Sequence, residues 1–226
     1  MVSPKLTYAE LPKFQECVRQ MRHAGGKVND SCGIHVHVDG ANNTPESLSR
    51  LLNFAAGRQD LFYESLQIGE RADQWCHKIS PELFKAMKKQ GRSSRAAAEE
   101  IWYSSVNDGY SGGISHGHYN QTRYHGINLH AFFTKGTVEF RLFNGTTHAG
   151  RIKAYIQFCL AMSAWSINCD HDNLHFKSIA GYTQQQKHDL MMRVLTKRLG
   201  MRGPEFKTAR LHLTAAFETV PAVTAA

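Results

Sequence analysis

A stretch of alternating residues, CGIHVHVD at positions 32–39, constrains the fold more than any other part of the chain. Side chains of a β-strand project alternately to its two faces, so a period of two in polarity predicts a strand. We therefore expect one apolar face on a hydrophobic core and one polar face. The apolar members are Cys32, Ile34, Val36 and Val38, and the polar members are His35, His37 and Asp39.

Two further strands are predicted at residues 126–133 (GINLHAFF) and 137–143 (TVEFRLF), joined by a turn at 134–136. The second of them alternates in the same way, with Glu139 and Arg141 on the side opposite its apolar residues. The sequence thus predicts an antiparallel sheet with charged groups on more than one strand.

Helices are predicted for much of the remaining chain from apolar residues at helical spacing and from capping signals. The segment 107–126 contains five glycines and little apolar content, so it is predicted to be a long loop that sets specificity. A frayed tail is expected after residue 219. The predicted helices begin at Thr7, Thr44-Pro45, Ser80-Pro81, Ser94, His148, Thr183 and Glu205.

Charge and composition exclude some classes of function. The formal net charge is +8, but the cations are scattered, so specific nucleic-acid binding is not expected and an anionic substrate suits the excess. Five cysteines at irregular spacing indicate neither a disulfide framework nor a cysteine zinc site. We expect no membrane span, and the predicted location is the cytoplasm.

The two polar strand faces carry the candidate chemistry. Residues i and i+2 of a strand lie about 6.5–7 Å apart, so His35 and His37 can reach one metal ion or one ligand, or they can line a polar sheet face. Glu139 beside Arg141 suits a metal and phosphate site, because carboxylates bind hard cations and guanidinium groups bind phosphate. The alternative is a simple cross-strand ion pair.

Three blocks, CGIHVHVD, RYHGINLH and GTVEFRLFNGT, occur in the same order as in a known family. With them the chain resembles the amidoligases, carboxylate–amine ligases related to glutamine synthetase and glutamate–cysteine ligase, over roughly residues 1–165. The resemblance implies an α+β fold with a bent antiparallel sheet, a half-barrel like that of glutamine synthetase. Helices would cover the convex side of the sheet, and the C-terminus would be helical.

The resemblance also implies substrates, cofactors and residue roles. It implies ATP and Mg²⁺, with Mn²⁺ as an alternative, and an amide or isopeptide bond that is formed through an acyl phosphate between a small-molecule or peptide carboxylate and an amine. The implied roles are metal ligands for His35 and Glu139, nucleotide binding for His37, Asn128 and Arg71, and charge stabilisation in catalysis for Arg141 and Arg123.

One departure from the family concerns the start of the chain, where an acidic strand is expected but the sequence begins MVSPKL. We therefore expect an N-terminally truncated catalytic domain at 1–170, a helical segment with a frayed tail at 171–226, impaired activity, and homo-oligomers through an exposed sheet edge. Two alternatives remain open. One is a non-catalytic nucleotide-binding remnant, and the other is a metal-dependent hydrolase that uses His35, His37, His116 and His118.

Overall fold

In the part of the chain that the structure describes, a small antiparallel sheet carries Glu139 and Arg141 on its central strand. The computed structural model describes residues 1–105, 113–170 and 178–218. The strands are β1 (Gly33–Asp39), β2 (Ile127–Asn128) and β3 (Thr137–Asn144), in the order β1-β3-β2.

Helices provide most of the other regular structure, and they confirm the predicted mixed α+β class. They are α1 (Leu11–His23), α2 (Pro45–Ala56), α3 (Gln59–Ser65), α4 (Pro81–Lys89), α5 (Arg95–Ser105), α6 (His130–Lys135), α7 (Ala149–Asn168), α8 (Gln184–Arg193) and α9 (Lys207–Thr214). The helix predicted from Thr183 continues beyond α8 as a π-helical turn at Val194–Arg198. Of the predicted glycine-rich loop, residues 106–112 lie outside the described ranges, as does the tail from 219 onwards.

The alternation predicted for β1 is confirmed. Successive side chains from Gly33 to Asp39 are alternately exposed and half-buried. Ile34 packs against the small cluster of Val18, Ala149 and Ile152, and Ile34, Val36 and Val38 also pack against the main core. The opposite face, which carries the histidines, is left open.

The register of β1 against β3 changes by one residue next to His35. Arg141 and Leu142 both lie opposite His35, which is the arrangement of a β-bulge. The bulge interrupts the period of two in β3, but Leu142 is still buried in the same core cluster as Val138 and Phe140. Phe143 is buried as well and stacks on Tyr155 of α7, with ring centroids 4.3 Å apart.

The predicted strand at 126–133 and the predicted turn at 134–136 are wrong for most of their length. Only Ile127–Asn128 pairs with β3, and the chain then forms α6. Gly136 follows this helix with a φ of 72°, the left-handed conformation that is common just after a helix C-terminus. Phe132 of α6 is buried in the core, so tertiary packing outweighs a β propensity that depends on context.

This short helix also changes the predicted sheet. Because residues 130–135 are helical, β2 has only two residues. The sheet of the described residues has three strands and is open, so the predicted half-barrel is not confirmed. Among the described residues, none of the helices combines the length and the apolar character that crossing a membrane requires.

Candidate active site

Glu139 lies at the base of the polar sheet face, with histidines above it. Its side chain is 6% exposed and that of Arg141 is 4% exposed. The side chains of His35 and His37 are 36% and 38% exposed. The register pairs His37 directly with Glu139, so the neighbouring strands bring these groups together as the sequence predicts.

Both oxygens of the Glu139 carboxylate contact nitrogen atoms. Oε1 lies 2.9 Å from Nη1 of Arg141, 3.2 Å from Nδ1 of His35 and 3.5 Å from Nε2 of His37. Oε2 accepts a hydrogen bond of 2.6 Å from Nδ2 of Asn128. The carboxylate therefore joins three strands, since these partners come from β1, β2 and β3.

These contacts decide the charge of Glu139. Burial raises the pKa of its carboxyl, but hydrogen bonds from His35 and His37 and the charge of Arg141 outweigh burial and hold the pKa well below its ordinary value. Glu139 is thus ionised throughout the neutral range, and its negative charge offsets the positive charge of Arg141.

The β-bulge brings Arg141 close to His35, with Nη1 3.4 Å from Nδ1 of that ring. A guanidinium only donates hydrogen bonds, so Nδ1 cannot accept from Arg141 while it donates to Glu139. The shorter contact, to the ionised carboxylate, places the proton on Nδ1. Nε2 of His35 then faces away from Glu139.

Three residues that support the site were not identified from the sequence. Thr137 Oγ1 lies 2.8 Å from Nδ1 of His37, and the backbone oxygen of Trp75 accepts from Nε of Arg141 at 3.2 Å. The ring of Tyr124 lies 5.6 Å from the guanidinium carbon of Arg141. Only Thr137 had a usable signal, since it lies two residues before Glu139 on the same strand.

Arg71 reaches the polar face from a 3-10 turn. Its Nη1 donates to the backbone oxygen of Phe143 at 2.8 Å and to Oδ1 of Asn144 at 3.0 Å. A Cβ placed on Gly33 would lie 2.3 Å from Nη2 of Arg71 and 3.5 Å from Nε2 of His35. Arg71 and His35 are therefore neighbours, and the absence of a side chain at Gly33 makes room for the guanidinium.

The remaining predicted residues lie at the edge of this arrangement. Arg123 donates to the backbone oxygen of His118 at 2.6 Å, and its guanidinium carbon lies 5.6 Å from the Tyr124 ring. His116 lies 2.6 Å from the carboxylate of Glu99. Within the described ranges Arg123 has no direct contact with the Glu139 cluster, although Tyr124 lies beside both Arg123 and Arg141.

The site does not fit a divalent ion held by protein ligands alone. Mg²⁺ and Mn²⁺ prefer several oxygen ligands, whereas both oxygens of Glu139 face nitrogen atoms. Asp39 uses Oδ1 to accept a hydrogen bond from the backbone of Ala41 at 3.0 Å. In the ranges that the structure describes, no group of three or more His, Cys, Asp and Glu side chains could hold a metal ion. The metal roles of His35 and Glu139 stay predictions, and the hydrolase alternative gains no support.

Comparison with known proteins gives one finding that bears on this site. A family model described as "Putative amidoligase enzyme" matches residues 1–163, which include all the residues of the Glu139 cluster. No curated protein and no solved structure matches the chain. The match covers more than half of the sequence and confirms the resemblance carried by the three sequence blocks. The chain therefore belongs to the amidoligase family.

Proposed function

We propose that this protein is an ATP-dependent ligase that joins a carboxylate to an amine through an acyl phosphate. Family membership supports an amide-bond ligase as the general activity. A free carboxylate is a poor electrophile in water, and transfer of a phosphoryl group to it creates a leaving group that an amine can displace. The substrates would be a small-molecule or peptide carboxylate and an amine.

The observation that carries this proposal is the cluster of donors around Glu139. One ionised carboxylate fixes Arg141, His35 and His37 in place, and Arg71 borders the same open face. Catalysis of phosphoryl transfer depends mainly on positioned cations and hydrogen-bond donors, because charge spreads over the oxygens of the transferred group. A rigid sheet that presents such donors suits this chemistry.

The proposed reaction has two steps. A carboxylate oxygen of the substrate attacks the γ-phosphorus of ATP, an O–P bond forms, the bond to the β–γ bridging oxygen breaks, and ADP leaves. The amine then attacks the acyl carbon, the C–O bond to phosphate breaks, a proton passes from the amine to water, and the amide and phosphate are released. Arg141 and Arg123 would stabilise the developing charge, and His37, Asn128 and Arg71 would position the nucleotide.

Glu139 would act in this scheme as a positioning residue. Its contacts hold Arg141 and both histidines of β1 in one geometry before any ligand binds. Because the described side chains do not form a metal cage, Mg²⁺ or Mn²⁺ would enter together with the phosphates of ATP.

The test is an assay of ATP consumption with a panel of carboxylates, each paired with amines. We expect ADP and an amide, identified by mass spectrometry, in equal amounts. Arg141→Gln should lower kcat/KM about 100-fold or more, as the loss of a charge-stabilising donor typically does. Arg193→Gln, an exposed arginine of α8 with the same loss of charge, should leave kcat/KM unchanged.

Two outcomes would count against the proposal in different ways. ATP binding without ADP formation in any pair would favour the non-catalytic nucleotide-binding remnant. A chain that neither binds nor consumes ATP would exclude ATP as the activating substrate.

A further inference from the structure

A basic cavity lies apart from the Glu139 cluster. It has a volume of about 520 Å³ and opens beside α1 and the first turn of α7. The residues around it include none of those in the sheet site. Its basic side chains are Arg19, Arg22, His23, His148 and Lys153.

The described residues that line the cavity include no aspartate or glutamate. Arg19 forms an ion pair of 2.9 Å with Glu16, and both side chains are about half exposed. In the described part of the chain, Arg22 and Lys153 make no ion pair and no side-chain hydrogen bond. Like charges without counter-charges produce a positive potential that attracts anions into a concave site.

His148, the residue before α7, also lines this cavity. Nδ1 of His148 accepts a hydrogen bond of 3.1 Å from the backbone N–H of Arg151, so a neutral ring carries its proton on Nε2. His212 lies against this ring at 4.9 Å. Burial lowers the pKa of His212, and the charges of His148 and Arg151 lower it further, which is consistent with an excess of positive charge here.

We infer that this cavity binds a small ligand that carries phosphate groups. Cavities of about 300–1,000 Å³ are typical of small-molecule sites, and this volume lies within that range. Arginine and lysine side chains that converge without counter-charges suit the several oxygens of a phosphate chain. The site is independent of the proposed ligase reaction, because it shares no residue with the Glu139 cluster.

The test is calorimetric titration of the full chain with sodium tripolyphosphate. The double variant Arg22→Gln and Lys153→Gln should weaken binding about 10-fold or more, since two charge-assisted contacts to phosphate oxygens are lost. The matched control is Lys88→Gln with Lys89→Gln, two exposed lysines at the end of α4. This control removes the same charge and should change the affinity by less than about twofold, as expected for screened surface charges.

Backbone amide chemical shifts then locate the bound phosphate chain. Ala149 and Gly150, which line the cavity, should shift on titration, and they should still shift in Arg141→Gln, where the sheet site is impaired. The shifts of Ala149 and Gly150 thus test the cavity separately from the proposed ligase activity. Equal affinities in the two double variants, or shifts confined to other surfaces, would overturn the inference. Citrate binding as tightly as tripolyphosphate would overturn the preference for phosphate.

Discussion

Glu139 is the residue on which the polar sheet face depends most. A charge that is so deeply buried needs partners, because an ion taken out of water without them costs several kcal/mol. Arg141 and Asn128 are buried with it, and both donate hydrogen bonds to its carboxylate. Removing one partner leaves an uncompensated charge, which typically costs about 3–5 kcal/mol. The contacts that stabilise the buried charge are thus the same contacts that would position the groups of the proposed reaction.

The lowered pKa of Glu139 predicts a stability that depends on pH. Below the ordinary value of 4.5, Glu139 stays ionised in the folded chain while it becomes protonated in the unfolded chain. Its contribution is therefore complete above that pH and is lost as the pH falls further, by about 1.4 kcal/mol per pH unit. Urea unfolding between pH 7 and pH 3 should show a smaller acid loss for Glu139→Gln than for the wild type.

Glu100→Gln provides the matched control for this pH series, since Glu100 is an exposed carboxyl on α5. Between pH 7 and pH 3, Glu100→Gln should lose as much free energy of unfolding as the wild type does. If all three proteins lost stability in parallel, the lowered pKa of Glu139 would be contradicted.

Gly33→Ala should remove the Arg71 guanidinium from the site without altering Arg71 itself. The new methyl group would lie 2.3 Å from Nη2, so the flexible side chain must move and lose its bonds to Phe143 and Asn144. We expect a loss of about 1–3 kcal/mol in urea unfolding. ATP affinity should fall by the same factor as in Arg71→Gln. Gly203→Ala, where the added carbon meets open space, should change neither quantity.

Residues on the polar faces could be predicted because strand alternation is a local property. His35, His37, Glu139 and Arg141 each follow from a period of two, and cross-strand pairing then brings them together. Trp75 could not be predicted, because it acts through a backbone oxygen that any residue possesses. Such contacts depend on the path of the backbone, and they do not restrict which residue type occupies the position.

At the scale of elements, β1 is an edge strand of the sheet. Within the described residues it pairs with β3 on one side only, so a row of backbone N–H and C=O groups has no strand partner. The strand predicted at β1 is confirmed, whereas the residues of α6, which the sequence predicts as strand and turn, form a helix. An apolar run such as LHAFF is compatible with both structures, and the core that buries Phe132 decides between them.

The open edge of β1 predicts self-association by pairing with a second copy of the chain. Sedimentation velocity should show the average mass rising with protein concentration. Over the same range, hydrogen exchange at the outward amides of β1 should slow, because pairing protects them. A constant monomer mass up to about 100 μM, at which even weak specific complexes form, together with fast exchange, would contradict pairing at this edge.

At the scale of the whole molecule, one core includes side chains from both sides of the predicted boundary at residue 170. Phe140 of β3, Phe158 of α7, and Leu195, Leu213 and Phe217 of the C-terminal part belong to the same buried cluster. The division into two domains stays a prediction. The strands of the site nevertheless share an interior with the last helices.

Leu213→Ala should therefore destabilise the entire chain. Leu213 is fully buried, and a leucine truncated in a core typically costs about 2–5 kcal/mol. Leu211→Ala, two residues earlier on α9 and 54% exposed, should cost less than about 0.5 kcal/mol. Thermal and urea unfolding followed at the sheet and at α9 should give one coincident transition. Separate transitions would show that the C-terminal helices unfold on their own.

The family match ends at residue 163, inside α7, which runs from Ala149 to Asn168. This helix packs on β1, α1 and α2 as well as on α9. The segment that matches the family model and the set of residues that share one buried core thus have different borders. Transplanting residues 1–163 into another protein would carry over the histidines and Glu139 but would omit part of the interior that keeps their strands in register.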